Sequence, residues 1–234
     1  MQPAVVTIDG PAGSGKSTVG NLLAQKINFL FFDTGILYRA VTLAAIENTI
    51  ELGDQVGLSR LAEGVKIDLY PPAAHESDGR ILTVMLDGID VTWQIRTPEV
   101  EHNVSPVSAV VGVRKALTEQ QRRIGHYYGT GRAEKPGIVM VGRDIGTIVM
   151  PEAPVKIYLE ALPTERARRR CDELRARGKE TDYALVLADI QRRDQIDSSR
   201  TVAPLRPAED ALTIDTTELS PNEVVDRILQ AIVA

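Results

Sequence analysis

The chain of 234 residues is 43% hydrophobic and 25% charged, with a formal net charge of −5. This length and apolar content can bury one large core, whereas the acidic balance argues against general nucleic-acid binding. A single cysteine excludes an internal disulfide, and no apolar run approaches the ~18 residues of a membrane span. We therefore expect a cytoplasmic protein with neither a nucleic-acid nor a membrane partner, and we expect it to be monomeric.

Strands and helices are predicted to alternate at the start of the chain. Residues 4–8 form a short β-branched apolar run, and the apolar residues from Ser17 to Ile27 follow helical spacing. A second strand ends at Asp33, and the next helix begins near Ile36. This alternation predicts a parallel α/β sheet.

The pattern then changes to that of an antiparallel insertion. Strands are predicted between residues 65 and 91, where an Asp-Gly pair at 87–88 separates apolar runs and is typical of a hairpin. A helix is expected from about Val107 to Gly125. The α/β pattern returns with strands at 137–144, 155–161 and 211–215 and helices at 164–177, at 183–199 and from about Pro221. The chain, 1–234, is thus predicted to be one α/β domain with a parallel sheet flanked by helices.

The first strand is followed by a sequence that is typical of a phosphate-binding loop. Residues 10–17 match G-x-x-x-x-G-K-[ST] between a predicted strand and a predicted helix. Glycines let consecutive backbone N–H groups converge on phosphate oxygens at the positive end of the helix. The alternative is a glycine-rich turn with an incidental lysine, for which a preceding strand and a following helix are not required.

The loop residues have expected roles towards a nucleotide. Lys16 reaches the β- and γ-phosphates, the hydroxyl of Ser17 can ligate Mg²⁺, and Thr18 can donate to the α-phosphate. The residues expected to bind the nucleotide are Gly10, Pro11, Ala12, Gly13, Ser14, Gly15, Lys16, Ser17 and Thr18.

The loop alone does not separate a kinase from a switch GTPase or a motor ATPase. No Asn-Lys-x-Asp motif, which would read guanine, occurs in the sequence. The insertion after the second strand and an arginine-rich segment near the end suit the acceptor site and the lid of a small kinase. A kinase for another nucleotide or small metabolite and a regulatory module without turnover stay as alternatives.

Three further stretches resemble bacterial cytidylate kinases: FFDTGILYR at 31–39, VGRDIGTIVMPEAPVKIYLEA at 141–161 and RRDQIDSSRTVAPL at 192–205. The resemblance covers essentially the whole chain in order, including the antiparallel insertion at about 63–96. It implies a P-loop kinase that uses ATP and Mg²⁺ to convert CMP and dCMP to CDP and dCDP. It also implies an acceptor-binding region at about 34–116 and a helical lid at about 164–200.

The resemblance implies which residues hold the phosphate of the acceptor. Thr34 and Arg39 fall where the family contacts the acceptor, Arg39 on its phosphate, and Arg143 corresponds to another phosphate ligand. Arg39 lies in the first turns of a predicted helix that faces the phosphate loop, and a guanidinium can bind phosphate through two hydrogen bonds. An ordinary surface arginine is the alternative for Arg39.

Ser105, Arg114 and Asp144 match the family's contacts with cytosine. A carboxylate accepts from the N4 amino group of cytosine but would face the O4 acceptor of uracil, so Asp144 can distinguish the two bases. Alternatively, Asp144 follows an apolar strand as a magnesium-side carboxylate would.

Arg193, Asp197 and Arg200 are spaced i, i+4 and i+7 and share one face of a predicted helix. The resemblance implies that Arg200 binds phosphate and that Arg193 and Asp197 lie near the acceptor ribose. A stripe of ion pairs within the helix is the alternative.

Arg166, Arg169 and Arg170 share a face of the preceding helix and are expected in the lid, where cations stabilise the phosphoryl group in transfer. The neighbouring Arg168, Arg175 and Arg177 are expected to be solvated. The residues expected to act in catalysis are Lys16, Arg143, Arg166, Arg170, Arg193 and Arg200.

One position departs from the family pattern. Related cytidylate kinases often carry an acid before Gly-Arg-Asp, where this chain has Val141. An acid there would help to hold Mg²⁺ or its waters, so Asp33 at the end of the second strand is the best substitute beside Ser17. The alternative is that Asp33 only caps the helix that opens near Thr34.

Overall fold

The computed structural model describes residues 4–233 except 74, 75, 77, 177, 179, 201 and 202. The helices are α1 (Lys16–Lys26), α2 (Gly35–Glu47), α3 (Gln55–Gly64), α4 (Pro98–Ala109), α5 (Val111–Gly129), α6 (Pro163–Ala176), α7 (Tyr183–Ser199) and α8 (Pro221–Val233). The strands are β1 (Val5–Asp9), β2 (Leu30–Asp33), β3 (Ile67–Tyr70), β4 (Thr83–Leu86), β5 (Ile89–Asp90), β6 (Ile138–Gly142), β7 (Val155–Glu160) and β8 (Leu212–Asp215). A 3₁₀ turn spans Gln94–Arg96, and a π-helical turn spans Ile145–Val149. No helix in the described ranges is long and apolar enough to cross a membrane.

A parallel sheet forms the centre of the molecule. Its strand order is β2-β6-β1-β7-β8, and every neighbouring pair runs parallel. All of β1 and most of β6 are buried, because both of their faces are covered, and their sequences are therefore continuous apolar runs. The parallel α/β sheet predicted from the sequence is confirmed.

The two faces of this sheet contact separate apolar layers. On β6, Ile138 and Met140 join the layer that contains residues of α2, α4 and α5, whereas Val139 and Val141 join the layer of α1 and α8. The assignment alternates because successive side chains of a strand point to opposite faces. With both faces packed, the carboxyl ends of the central strands stay together at one edge, which is where ligands bind in such folds.

The predicted insertion is a separate antiparallel sheet of β3, β4 and β5. Asp87 and Gly88, which join β4 to β5, have φ values of 49° and 83°. Positive φ at both positions is what a tight hairpin requires. Ile67 and Val84 of this sheet belong to the same apolar layer as α2, so the insertion packs on the main body.

The helix expected from Val107 to Gly125 is wrong in its extent. The chain forms α4 and α5 instead, and they are joined at Val110, which is extended with a ψ of 121°. α4 continues through Pro106 and begins already at Pro98, although a proline inside a helix cannot donate a hydrogen bond. The buried side chain of Val110 packs into the core, which the local apolar spacing did not reveal.

The sequence patterns did not predict α3. The Asp54 carboxylate accepts a hydrogen bond from the amide of Gly57 at 2.8 Å and caps the start of the helix. Leu58 and Ala62 are its buried residues, so the apolar face is too short to stand out as a helical period.

Candidate active site

The loop between β1 and α1 has a backbone that only glycines allow. Gly10, Gly13 and Gly15 have φ values of 150°, 76° and 88°, which residues with a Cβ rarely adopt. A Cβ on Gly10 would lie 2.0 Å from the carbonyl oxygen of Leu159. Beside Gly15 the space is open, with no atom within 4 Å of where a Cβ would stand. The loop therefore leaves room at the N-terminus of α1, where the helix dipole favours an anion.

Lys16 lies inside this loop. Its Nζ donates to the carbonyl oxygen of Pro11 at 2.6 Å and to Oγ of Ser14 at 3.5 Å. Burial, and after it the nearby Arg143, lower the pKa of the Lys16 ammonium, whereas Asp33 is the foremost group that raises it. A desolvated ammonium beside a glycine loop and a helix N-terminus forms a donor set for phosphates. The residues present therefore fit a nucleotide.

The two residues expected at the metal are in contact. Ser17 Oγ donates to Oδ2 of Asp33 at 2.8 Å, and the other oxygen of Asp33 accepts from the amide of Gly35 at 3.0 Å. Asp33 thus lies beside Ser17, the other residue expected at the metal, and it also binds the first amide of α2 as a helix cap would. Val141 stands opposite Asp33 in the sheet register and is buried.

The donor set near Ser17 is small for a metal ion. Among the residues that the structure describes, no group of three or more His, Cys, Asp or Glu could hold one. Magnesium usually takes only one or two protein carboxylates together with phosphate oxygens and water. A hydroxyl and a carboxylate beside the phosphate loop therefore fit Mg²⁺ that arrives with a nucleotide.

Arg114 and Asp144, two of the three residues expected to read the base, form an ion pair. Nη2 of Arg114 lies 3.0 Å from Oδ2 of Asp144, and both side chains are largely buried. Burial raises the pKa of the Asp144 carboxyl, and Arg114 opposes that rise. Nε of Arg114 is buried and has no partner among the described atoms, so one donor is available to a ligand. Ser105 is exposed on α4 and, in the described structure, makes no hydrogen bond with this pair.

Asp197 joins two of the expected phosphate ligands. Its Oδ2 accepts from Nε of Arg143 at 2.9 Å, and its Oδ1 lies 2.5 Å from Nη2 of Arg200. Arg193 instead pairs with Asp189 at 2.9 Å, and its side chain is 53% exposed. The structure therefore brings Arg143, Asp197 and Arg200 together and leaves Arg193 outside that cluster.

Thr34 and Arg39 of the α2 region differ in what they contact. Thr34 is buried, and its hydroxyl donates to the carbonyl oxygen of Val141 at 2.9 Å. Arg39 is half-buried and has no hydrogen bond or ion pair with any residue of the described ranges. A half-buried guanidinium without a partner can accept an anion without first breaking an ion pair.

Arg166 lies beneath the phosphate loop. It is buried and donates to both oxygens of Asp194 on α7, at 2.9 and 2.5 Å. Nη1 also donates to the carbonyl oxygen of Ala12 at 3.0 Å, and Nε donates to that of Ala161 at 2.9 Å. This side chain therefore ties α6 and α7 to the loop.

The other arginines of α6 lie nearer to the surface. Arg169 donates to the carbonyl oxygen of Thr216 at 2.5 Å, which joins α6 to the segment after β8. Arg170 is half exposed and pairs with Glu173 at 2.7 Å. The expected solvation of Arg168 and Arg175 agrees with their 61% exposure, and Arg177 lies outside the described residues.

Two carboxylates at the site, Asp9 and Asp194, were not predicted from the sequence. Asp9 ends β1 and accepts from the amides of Ile145 and Gly146, whereas Asp194 holds Arg166. A signal for Asp9 was present, because an acid that ends an apolar strand at the carboxyl edge of a parallel sheet faces the ligand crevice. Asp194 had no such signal, since its partner lies 28 residues away on another helix.

Known proteins are similar to this chain over almost its full length. The profile of the cytidylate kinase family matches residues 6–234. The chain is 47% identical to a cytidylate kinase of Roseiflexus castenholzii over 230 residues, 98% of this chain and 94% of that protein. It is 44% identical to a cytidylate kinase of Bacillus subtilis over 97% of this chain and 95% of that protein. An uncharacterized protein from Eubacterium ventriosum, at 12% identity, shares only the fold, with a TM-score of 0.50 over 99% of both chains.

Proposed function

The chain belongs to the cytidylate kinase family, and from this premise we propose that it transfers the γ-phosphoryl group of ATP to CMP and dCMP, giving CDP and dCDP. The observation that carries this function is the extent of the family match, from residue 6 to residue 234. It takes in the phosphate loop and every residue assigned to the acceptor. A small P-loop kinase with a different acceptor is not favoured by that match.

The phosphate loop and Lys16 are assigned to the triphosphate. MgATP, when bound, supplies the phosphoryl group. Positioning and cationic stabilisation supply most of the rate in phosphoryl transfer, because the transition state is loose and offers little covalent work to the protein. Lys16 is already desolvated, so water does not screen the interaction between its ammonium and the phosphates. The loop contacts are Gly10, Pro11, Ala12, Gly13, Ser14, Gly15, Lys16, Ser17 and Thr18.

Ser17 and Asp33 are assigned to Mg²⁺. Their 2.8 Å contact supports this pair, because it brings a hydroxyl and a carboxylate together beside the loop that holds the phosphates. Val141 offers no oxygen from its side chain, so Asp33 takes the part of the acid that related chains often carry there.

Arg39, Arg143 and Arg200 are assigned to the phosphate of the acceptor. Arg143 and Arg200 share the single carboxylate of Asp197, and Arg39 has no partner in the described structure. The cluster therefore keeps a positive surplus, which supports binding of a dianionic phosphate. Thr34 is assigned to the same side of the acceptor, and Arg193 and Asp197 to its ribose.

Asp144, Arg114 and Ser105 are assigned to the cytosine base. The ion pair with Arg114 supports this role for Asp144, because it favours the charged carboxylate in a buried place. That carboxylate would accept from the N4 amino group of cytosine. The unpartnered Nε of Arg114 supplies a further donor.

The acceptor-binding region and the mobile lid are assigned from the family resemblance. The acceptor-binding region comprises about 34–116 with the insertion at about 63–96, and the lid comprises about 164–200. Arg166 and Arg170 of the lid act in catalysis with Lys16, Arg143, Arg193 and Arg200. We also propose that the protein is a monomer in the cytoplasm. Light scattering of the purified protein measures its oligomeric state.

An ADP-release assay with CMP, dCMP, UMP or no acceptor tests the function. Release with CMP or dCMP far above the acceptor-free rate is expected. A kinase for another acceptor would release ADP only with that compound. A regulatory module would show no dependence on any acceptor.

Asp144→Asn is expected to lower kcat/KM for CMP by about 10- to 100-fold, as the loss of a hydrogen bond to a charged group would. It should also narrow the ratio of CMP to UMP use, because an amide can donate to O4 of uracil whereas a carboxylate only accepts. The two kcat/KM values are the measurement. If the ratio of kcat/KM for CMP to that for UMP does not change, Asp144 would instead be assigned to Mg²⁺. Ser105 and Arg114 would then be the residues that recognise the base.

A further inference from the structure

Asp9 connects two parts of the site that are far apart in sequence. It is the last residue of β1 and directly precedes Gly10 of the phosphate loop. Its Oδ1 accepts from the amide of Ile145 at 2.9 Å, and its Oδ2 accepts from the amide of Gly146 at 2.7 Å. Both carboxylate oxygens are therefore used on two consecutive amides that directly follow Asp144.

Those two amides begin the π-helical turn, and the first amides of a helical turn have no partner within it. The carbonyl oxygen of Asp144 accepts from the amides of Ile148 and Val149, at 2.9 and 3.1 Å. The amides at the end of the turn thus bind the carbonyl oxygen of Asp144, and the carboxylate of Asp9 binds the amides at its start. Hydrogen bonds to an ionised carboxylate are about twice as strong as neutral ones, so this clamp is rigid.

Packing at Gly146 leaves little freedom around the clamp. A Cβ there would lie 3.0 Å from Oγ1 of Thr7 and 3.4 Å from Oδ2 of Asp9. In the sheet register Asp9 stands opposite Gly142, two residues before Asp144. The segment 142–146 is therefore held at its start by strand pairing and at its end by the hydrogen bonds to Asp9.

None of the neighbouring polar or charged side chains of Lys16, Tyr158 and Asp144 forms a hydrogen bond with the Asp9 carboxylate in the described structure. Lys16 on α1 bonds to Pro11 and Ser14 instead. Tyr158 stands opposite Asp9 on β7, and Asp144 repels the Asp9 carboxylate. The two amides are thus the direct hydrogen-bond partners that the structure gives Asp9 within the described residues.

We propose that Asp9 is a positioning residue that holds the base-reading Asp144 at a fixed distance from the phosphate loop, a role that rests on the proposed function. Together with the pairing of β1 and β6, this buried side chain then keeps the acceptor base and the donor phosphates in one geometry. Asp9 acts through the Ile145–Gly146 backbone and does not touch the substrates.

Asp9→Asn tests the clamp, because its amide group can accept from one of the two N–H groups but turns a donor towards the other. We expect KM for CMP to rise about 10-fold, as the loss of one charge-assisted hydrogen bond would allow, while KM for ATP stays within about twofold. The preference for CMP over UMP should fall as well. Thr7→Val, on the same strand and face, is the matched control and should leave all three values unchanged.

Gly146→Ala is a second variant, since its Cβ would lie 3.0 Å from Oγ1 of Thr7 and so displace the turn that carries the amide, and it should give the same selective rise in KM for CMP. Amide hydrogen exchange of Ile145 and Gly146, measured without nucleotides, supplies a readout apart from activity. Both amides should be protected in the parent protein, and the one that loses its acceptor in Asp9→Asn should exchange at least ~10-fold faster, while Thr7→Val keeps the protection of both.

Equal changes in KM for CMP and ATP, or an unchanged preference for CMP over UMP, would overturn the positioning role. Unprotected amides in the folded parent would overturn it even if neither variant folds. Failure of the parent to phosphorylate CMP would instead reject the proposed function, whereas amide exchange would still report on the clamp itself.

Discussion

Asp33 makes two contacts that would have different consequences if they were lost. Its Oδ2 accepts from Ser17 in the phosphate loop, and its Oδ1 accepts from the amide of Gly35 at the start of α2. The first contact belongs to the metal assignment, and the second stabilises a helix end. A substitution that keeps the cap and removes the charge separates them.

Asp33→Asn is expected to cut kcat at saturating CMP by at least ~10-fold, which corresponds to 1.4 kcal/mol of transition-state stabilisation, and to raise the Mg²⁺ needed for half-maximal rate. The physical reason is the loss of a charge that orients the metal and its waters. A Mg²⁺ titration of the initial rate measures both effects.

Asp54→Asn is the control for capping alone, because Asp54 caps α3 away from the loop. It should leave kcat and the Mg²⁺ titration unchanged. If Asp33→Asn lowers the melting temperature but leaves kcat and the Mg²⁺ titration in place, Asp33 is only a cap and the second metal anchor lies elsewhere.

At the scale of elements, one buried side chain connects α6, α7 and the phosphate loop. Arg166 pairs with Asp194 of α7 and donates to the carbonyl oxygen of Ala12. The side chain of Arg166 is 3% exposed, whereas that of Asp194 is 27% exposed. Removal of one partner of such a pair leaves a buried charge without compensation, which costs more than the pair itself contributes.

Asp194→Asn is expected to lower the free energy of unfolding by about 2–3 kcal/mol, somewhat less than for a fully buried pair because Asp194 is partly exposed. Asp189→Asn is the matched control on the same helix, since it removes a carboxylate that pairs only with largely exposed arginines in the described structure. That control should cost no more than about 0.5 kcal/mol. Urea unfolding of both variants measures the difference, and equal losses would mean that the buried pair does not stabilise the junction.

At the scale of the whole molecule, Asp9 links stability to pH. Burial raises the pKa of the Asp9 carboxyl from 3.8 to about 6, while the amides of Gly146 and Ile145 oppose that rise. The folded protein therefore binds this proton more tightly than the unfolded chain does. Its contribution to stability is complete below the ordinary pKa and is lost as the pH rises through the folded value. At neutral pH the ionised clamp thus costs stability.

The free energy of unfolding of the parent, relative to Asp9→Asn, is expected to rise by about 1 kcal/mol when the pH falls from 7 to 5. Subtraction of the variant removes the carboxylates that both proteins share, apart from the interaction of Asp9 with Asp144. Denaturant unfolding over this range measures the difference. A constant difference would mean that the Asp9 carboxyl ionises at its ordinary pKa in the folded protein.

Features that depend on near neighbours in the chain could be predicted from the sequence. The strand, glycine loop and helix around Lys16, the hairpin at 87–88 and the helix from 183 to 199 follow from spacing and turn residues a few positions apart. The parallel sheet followed from the alternation of strands and helices, and the family resemblance added the acceptor and the residues that we propose bind it. The single helix predicted at 107–125 was wrong, because Val110 is extended between α4 and α5 and packs in the core, a tertiary contact that the local spacing does not encode.

Contacts between distant segments were decided only by the tertiary structure. Asp9 meets Ile145 and Gly146 across 136 and 137 residues, and Arg166 meets Asp194 across 28. The strand order β2-β6-β1-β7-β8 brings the ends of β1 and β6 side by side, and residue spacing along the chain does not encode that order. The sequence by itself thus determined the phosphate loop and the chemical types of the ligands. The fold decided which charged groups are in contact. A buried carboxylate needs hydrogen-bond donors, and packing supplies them from segments that are distant in the sequence.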